Sequence, residues 1–280
     1  MAKKVLITGA DGQLGQCVQY IAKRYPQIHF TFVNKKQLDI TDGSAVDSFF
    51  KQNNFTYIIN AAAYTHVDNA ETEQELAFEI NEIGVKNIAR ACAKYNLELL
   101  HLSTDYVFDG KSKVPYTEEM DTNPINVYGA SKLAGENVIV EVCKKHIILR
   151  TSWLYSPFGH NFYLSMRRAI ENKKQLQITT EQTGTPTSAV GLAEVLMKII
   201  CQEKKEYGVY HYSDEGETTW YEFAMEIERK ILEENKGYIN PTDHYETKAK
   251  RPKYSVLNHM KIKKNFNIIP KPWQKTLAEF

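Results

Sequence analysis

A phenol and an ammonium stand four residues apart in Tyr128-Gly129-Ala130-Ser131-Lys132, so on a helix both leave the same face. An unperturbed tyrosine has a pKa of about 10 and exchanges protons poorly near neutrality, whereas a nearby cation stabilises its phenolate. The pairing therefore suits proton transfer. Alone, the spacing also fits an ordinary exposed helix. Its register gives it weight, because it lies between the fourth and fifth predicted strands, downstream of a glycine turn. The fourth strand runs into Leu102-Ser103-Thr104-Asp105, at the carboxyl edge where open α/β sheets bind ligands. There the Thr104 hydroxyl can donate to a substrate carbonyl oxygen, although Ser103 and Thr104 are also common turn formers.

A second constellation is Gly9-Ala10-Asp11-Gly12-Gln13-Leu14-Gly15, a G-x-x-G-x-x-G turn with a β-type run before it and a helical pattern beginning inside it. Glycines there let the backbone turn tightly, let amides approach a pyrophosphate and let the helix pack close to the sheet, while the helix dipole favours the anion. The spacing predicts a dinucleotide site. NAD-selective proteins usually end the second strand on an acid that binds the adenosine ribose. This chain has Asn34, followed by Lys35 and Lys36. A neutral residue beside two cations tolerates a 2′-phosphate, so NADPH preference, or use of both NADPH and NADH, is expected. Two solvated surface lysines are the plain alternative.

The elements that must position these residues follow from patterning. Strands are predicted over 4–8, 29–33, 57–60, 97–102 and 146–150, separated by helical stretches. One of these spans 75–94, where Leu76, Ile80, Ile83, Ile88, Ala91 and Cys92 approximate one apolar face. Alternation of this kind describes an α/β fold with a doubly wound parallel sheet, Rossmann-type. Residues 1–150 are expected to form the dinucleotide-binding core. Residues 151–280 should mainly form a smaller C-terminal substrate-binding lobe, with some segments returning to the core. Helices are predicted there over 162–172, 190–202 and 220–234, and irregular Pro- and Lys-bearing sequence thereafter.

Composition narrows the partners. Thirty-five Lys plus Arg balance thirty-four Asp plus Glu in 280 residues, a net charge of +1, so no global field favours nucleic acid or an anionic membrane. Cys17, Cys92, Cys143 and Cys201 are scattered and form no C-x-x-C pair, which argues against a disulfide framework or a thiolate zinc site. His66, His101, His146 and His211 show no metal-ligand spacing. No catalytic metal is expected, and a non-catalytic Mg²⁺ at a subunit contact, as in a homodimer, is left open. The start of the chain lacks signal-peptide features and no run reaches the roughly 18 apolar residues of a spanning helix, so a cytoplasmic address is expected.

Taken together, the chain resembles the dTDP-4-dehydrorhamnose reductase family of extended short-chain dehydrogenases/reductases. The resemblance rests on residues 9–15, Leu38-Asp39-Ile40, Asn60-Ala61-Ala62-Ala63-Tyr64-Thr65, Val67-Asp68, Ser103-Thr104-Asp105-Tyr106-Val107-Phe108-Asp109-Gly110, residues 128–132, Arg150-Thr151-Ser152-Trp153-Leu154-Tyr155 and Gln182-Thr183-Gly184-Thr185-Pro186-Thr187. It implies reduction of dTDP-4-dehydro-L-rhamnose to dTDP-L-rhamnose, a step in making deoxysugars for polysaccharide. By resemblance Tyr128 donates the proton, Lys132 holds the nicotinamide ribose and tunes Tyr128, and Thr104 polarises the carbonyl, with Asp105 and Trp153 on the sugar. It assigns Gly12, Gln13 and Leu14 to the pyrophosphate, within the turn that also holds Gly9, Asp11 and Gly15, and Asp39 and Ile40 to the adenine end. There Asn34 departs from the family pattern and stands with Lys35 as expected from the residues alone. Ala61, Ala62, Ala63, Tyr64, Thr65 and Ser103 form the rest of the cofactor wall. Arg251, in an Arg-Pro pair, is implied to grip the nucleotide diphosphate.

Two rival functions use the same parts. A nucleotide-sugar dehydratase or epimerase shares the glycine turn and the Tyr-Lys pair, but a dehydratase carries Asp-Glu after its threonine to remove a further proton, and here Tyr106 follows Asp105. A non-catalytic NADP-binding regulatory subunit would have no chemical need for the Thr104, Tyr128 and Lys132 set. The basic residues Lys248, Lys250, Lys253, Lys261, Lys263 and Lys264 read as a solvated surface.

Overall fold

The structure is a computed structural model that describes residues 3–280. In chain order, β1 (Lys3–Thr8), α1 (Gln13–Ala22), β2 (Ile28–Val33), α2 (Gly43–Gln52) and β3 (Tyr57–Asn60) open the fold. Two short helices follow, α3 (Val67–Ala70) and α4 (Gln74–Phe78), then a π-helical turn Glu79–Gly84 and α5 (Val85–Lys94). Next come β4 (Glu98–Thr104), α6 (Val127–Val142), β5 (His146–Thr151), β6 (Leu154–Tyr155), α7 (Phe162–Glu171) and β7 (Leu176–Thr179). The remainder is β8 (Thr183–Gly184), β9 (Thr187–Ser188), α8 (Ala189–Cys201), β10 (Gly208–His211), β11 (Thr218–Thr219), α9 (Trp220–Leu232), β12 (Ile239–Thr242), α10 (Met260–Phe266) and α11 (Trp273–Ala278).

Six strands form one sheet in the order β10-β5-β4-β3-β1-β2, and every pair is parallel. The order reverses between β1 and β3, and the crevice outside the strand ends at such a switch point is where doubly wound sheets bind ligands. Both faces are covered. Leu14, Cys17 and Val18 of α1 pack with Leu192, Leu196 and Ile199 of α8 on one face. On the other, Val46 and Phe50 of α2 join Ile88 and Cys92 of α5 and Ile139 of α6. A separate apolar cluster gathers Tyr155, Tyr163, Ile170, Phe223, Ile227 and Trp273 beyond the sheet.

All five predicted strands are present with ends shifted by at most two residues. The sixth, β10, comes from beyond residue 150 and pairs with β5, and α8 from the same half covers the sheet beside α1. The expected helix over 75–94 is interrupted by the π turn. One extra residue in that turn rotates the apolar face, so Ile88, Ala91 and Cys92 are buried while Leu76 and Ile83 face solvent. The turn also sends Asn81 inward, where its Oδ1 accepts from the Tyr64 amide and its Nδ2 donates to the Tyr64 carbonyl and to Ser131 Oγ. The stretch after residue 234, read as irregular, contains β12, α10 and α11; the two helices are short, and their few apolar residues show little periodicity.

Candidate active site

The glycine turn has the shape its spacing predicts. Gly9 lies at φ +65°, and a Cβ there would come within 2.7 Å of the Ala61 carbonyl oxygen. A Cβ on Gly15 would stand 2.4 Å from the Gly9 oxygen, so no larger residue fits where α1 meets the turn. Helix α1 has no side-chain cap and no acid in its first turn, leaving amides and a positive dipole end toward the crevice. Gln13 Nε2 is buried there without a hydrogen-bond partner. These are donors suited to a pyrophosphate.

Beside the turn lies a cleft of ≈ 290 Å³ lined by Gly9, Asp11, Gly12, Asn34, Lys35, Asp39, Ile40, Ala61, Ala62 and Ala63. The structure thus brings most of the expected cofactor residues to one place, and adds Leu38, Thr41 and Ile80 to the lining. Asn34 donates from Nδ2 to Asp11 Oδ2 at 2.9 Å, and Lys35 stands 3.8 Å from Asp39 on an exposed edge. Hydrogen bonds from the Thr41 amide and hydroxyl, helped by Lys35, hold the Asp39 carboxyl below its usual range.

Some expected contacts do not form through side chains. Leu14 turns into the core, as the helix periodicity that places Gln13 outward requires. Ser103 donates to Glu136, on the opposite side of β4 from Thr104, because side chains alternate along a strand. The Tyr64 hydroxyl donates to Glu73 at 2.7 Å while its ring packs with Ala70 and Ala77, and Thr65 is exposed. These residues can present only backbone, or in the case of Thr65 an outward side chain, to a cofactor.

The residues expected to transfer a proton come together at the carboxyl edge of β4 and the start of α6. Asn126 caps α6 by accepting from the Gly129 amide at 2.7 Å, which fixes the first turn carrying Tyr128. Tyr128 lies close to Thr104, and burial desolvates its phenol and pushes it above its ordinary pKa. Lys132 is buried, donates to the Leu102 carbonyl at 2.7 Å, and lies 3.4 Å from His101 Nε2. Burial pulls its ammonium down to about 8, against the opposing pull of Glu136. Tyr128 and Lys132 do share a helix face, but the ammonium is directed to Leu102 and His101, not to the phenol.

Asp105 is buried. Its Oδ1 accepts from Thr104 Oγ1 at 3.0 Å, its Oδ2 has no partner, and desolvation raises its carboxyl to about 6. The Tyr106 ring meets Tyr128 edge to face. Arg251 binds Asp68 at 2.7 Å and reaches the Tyr106 hydroxyl at 3.4 Å, leaving its buried Nε without a partner. Trp153 adopts a left-handed φ of +44°, an outlier for a bulky residue, and one face of its indole is covered by Trp220. A sugar could therefore use only the other face or an edge.

Sequence reasoning missed Trp220, Asn81, Glu136, Asn60 and His101. Trp220 and Asn81 carried only helical-pattern signals. His101 had a faint one, a polar residue inside the apolar run Leu99-Leu100-His101-Leu102.

Fold and site define a Rossmann-type, nicotinamide-dependent oxidoreductase of the short-chain dehydrogenase/reductase class. The family profile described as RmlD substrate binding domain matches residues 3–280. A dTDP-4-dehydrorhamnose reductase of Aggregatibacter actinomycetemcomitans is 40% identical over 98% of this chain and 97% of its own length. The spore coat polysaccharide biosynthesis protein SpsK of Bacillus subtilis is 38% identical over 99% and 96%. A crystal structure of dTDP-4-dehydrorhamnose reductase from Bacillus anthracis in complex with NADP superimposes with a TM-score of 0.94 at 37% identity, covering 100% of this chain and 99% of the other. The chain belongs to the dTDP-4-dehydrorhamnose reductase family. Among the described residues no helix is long and apolar enough to cross a membrane.

Proposed function

We propose that this protein reduces the 4-keto group of a thymidine-diphosphate-linked deoxysugar, dTDP-4-dehydro-L-rhamnose giving dTDP-L-rhamnose. The observation that carries the reading is the placement of Tyr128 close to Thr104, at the sheet edge where the glycine-turn crevice opens. A reduced nicotinamide, when bound, supplies a hydride to carbon 4. Tyr128 supplies the proton to the carbonyl oxygen, and its desolvated phenol stays protonated until that oxygen becomes basic. Thr104 hydrogen-bonds the same oxygen and orients it. Lys132 would hold the nicotinamide ribose and would offer positive charge as Tyr128 gives up its proton. Asp105 holds a sugar hydroxyl through its unpartnered Oδ2, Trp153 bounds the pyranose, and Arg251 faces the diphosphate from its Asp68 anchor.

The turn amides and Gln13 hold the pyrophosphate, while Asn34, Lys35 and Asp39 surround the adenosine ribose. Both NADPH and NADH fit this corner, with NADPH favoured. On this reading residues 1–150 hold the cofactor and also bring Thr104, Asp105 and Tyr128 to the sugar, while residues 151–280 add Trp153 and Arg251. A cytoplasmic address accompanies this reading. A homodimer, with a Mg²⁺ at its contact, is also proposed; equal sedimentation at the monomer mass in Mg²⁺ and in EDTA would remove it.

The decisive assay follows NADPH absorbance with a panel of thymidine-linked 4-keto sugars. Turnover with the L-rhamnose precursor is expected, together with a loss of roughly 100-fold or more in kcat for Tyr128→Phe. Cofactor binding without oxidation by any sugar would favour a regulatory NADP-binding subunit instead.

A further inference from the structure

Behind Lys132 a row of polar side chains crosses the sheet. Thr8 is registered with Asn60 across β1 and β3, and Asn60 with His101 across β3 and β4, so the three side chains lie on one face of adjacent strands. Thr8 Oγ1 donates to Asn60 Oδ1 at 2.6 Å, Asn60 Nδ2 faces His101 Nδ1 at 3.1 Å, and His101 Nε2 faces Lys132 Nζ at 3.4 Å. All four residues are at most 3% exposed, and the strands around them are apolar. Polar groups buried this deeply cost stability unless each is satisfied, and three apolar residues would fill the same row without that cost. The row ends on the amine of Lys132.

The donors and acceptors along the row admit two consistent arrangements. His101 is fully buried, and burial together with the Lys132 charge holds its imidazole neutral, well below its ordinary pKa. A neutral imidazole carries one N–H. With Asn60 Nδ2 toward His101, that proton must sit on Nε2, and Lys132 must be the neutral amine that accepts it. With Lys132 ionised, Nε2 is the acceptor, Nδ1 carries the proton, and the Asn60 amide must turn over to present Oδ1, with Nδ2 donating to Thr8 Oγ1. The ionisation of Lys132, the tautomer of His101 and the orientation of Asn60 therefore change together.

We propose that His101 is a positioning residue for Lys132: its Nε2 is the second buried acceptor that holds the ammonium behind Tyr128, and its tautomer changes with the lysine's ionisation. This rests on the proton-transfer reading of Tyr128 and Lys132. On its own helix Glu136 acts on Lys132 by charge, and the Tyr128 phenol, one turn earlier, is not where the ammonium points. Glu136 is locked by Arg150 from β5, which in turn contacts His211 of β10, and Asp105 follows β4. Lys132 Nζ hydrogen-bonds to the Leu102 carbonyl and His101 Nε2 and to none of these groups.

The test compares pH profiles of kcat/KM for wild type, His101→Leu and His101→Gln. Removing the acceptor in His101→Leu is expected to move the alkaline limb down by about one pH unit and lower kcat about 10-fold, with KM for the sugar within about twofold. In His101→Gln the side-chain oxygen can replace Nε2, so the limb returns toward wild type. An unshifted limb in a folded His101→Leu, or equal failure of both variants, overturns the proposal. Should His101→Leu not fold, nitrogen NMR of the His101 ring decides in wild type and Lys132→Met without substrate. The N–H is expected to exchange between Nδ1 and Nε2 over the pH range of the alkaline limb in wild type only; a ring that stays unchanged there overturns it. Wild type that switches tautomer yet reduces no sugar would sink the activity reading alone.

Discussion

Trp153 stacks on Trp220 with ring centroids 3.6 Å apart and planes 9° from parallel, and Phe162 closes on the far indole at 4.5 Å. Trp220 is itself tethered by a hydrogen bond from its Nε1 to Gln182 at 3.1 Å. The stack ties the strained turn after β5 to the first residue of α9, joining the edge of the sheet to the outer cluster. An aromatic pair of this kind contributes about 0.5–1.5 kcal/mol beyond burial.

Trp220→Leu should therefore release Trp153 from its left-handed conformation. Its KM for the keto sugar is expected to rise about 5-fold to 10-fold, about the effect of losing one such pair, while KM for NADPH holds. Steady-state kinetics with each substrate varied in turn checks this; an equal rise in both constants would mean the stack supports the fold and not the sugar side.

Arg150 and Glu136 form a buried pair, with Arg150 Nη2 2.6 Å and Nε 2.9 Å from the carboxylate oxygens, and Ser103 donating to the same carboxylate. Removing one partner leaves the other charge buried and alone, so Arg150→Met should cost about 3–5 kcal/mol. Replacing both, as Arg150→Met with Glu136→Leu, should recover much of that loss, because apolar isosteres escape the desolvation penalty. Urea unfolding of the two single variants and the double variant measures the coupling. Additive losses would show that the pair contributes nothing as a pair.

Much of this arrangement was readable because each motif had a local cause. Gly9 and Gly15 announce a backbone that leaves no room for a Cβ, and the strand before them shows in β-branched residues. Tyr128 and Lys132 share a face by helical spacing alone. What escaped depended on contacts between distant segments. Leu76 and Ile83 look like core residues until a π turn, invisible in periodicity, rotates them outward. Strand β10 has only four residues and takes its identity from β5. Ser103 sits next to Thr104 in sequence, yet the pleat sends it to Glu136. Arg251 was legible as a cation, but its Asp68 partner lies 183 positions away.

Stability should also report a carboxyl that folding desolvates. Asp214 is buried, accepts from Thr276 Oγ1 at 2.5 Å and from the Ser188 amide at 3.0 Å, and is raised by burial from 3.8 to about 6. A raised carboxyl binds its proton more tightly in the folded chain than in the unfolded one. Its contribution to stability is thus most favourable below about 4 and is lost as pH rises through about 6. Asp214→Asn keeps an oxygen for the two donors and cannot ionise. The stability difference between wild type and this variant is expected to move against wild type by on the order of 1–3 kcal/mol between pH 5 and pH 7.5. Parallel melting curves across that range would refute the assignment.

The proposed cofactor choice would turn on a corner where cations and carboxylates are interleaved. Asn34 leaves the end of β2 neutral, yet its amide is bonded to Asp11, which brings a carboxylate from the glycine turn to the place where a ribose 2′-hydroxyl could donate. Lys35 is 72% exposed and only 3.8 Å from Asp39, a weak surface pair that a 2′-phosphate dianion can outcompete at little cost. On the proposed reading the two settings would favour different cofactors: Lys35 released from Asp39 would bind the phosphate, while Asp11 would repel it and accept from a bare hydroxyl. Lys35→Ala should lower kcat/KM with NADPH by about 5-fold to 20-fold, the range of one charge-assisted contact, and leave NADH within about twofold. Asp11→Asn should move the ratio the other way by weakening NADH use. Measuring both cofactors on both variants distinguishes this from general damage to the turn, since a damaged turn lowers all four values together.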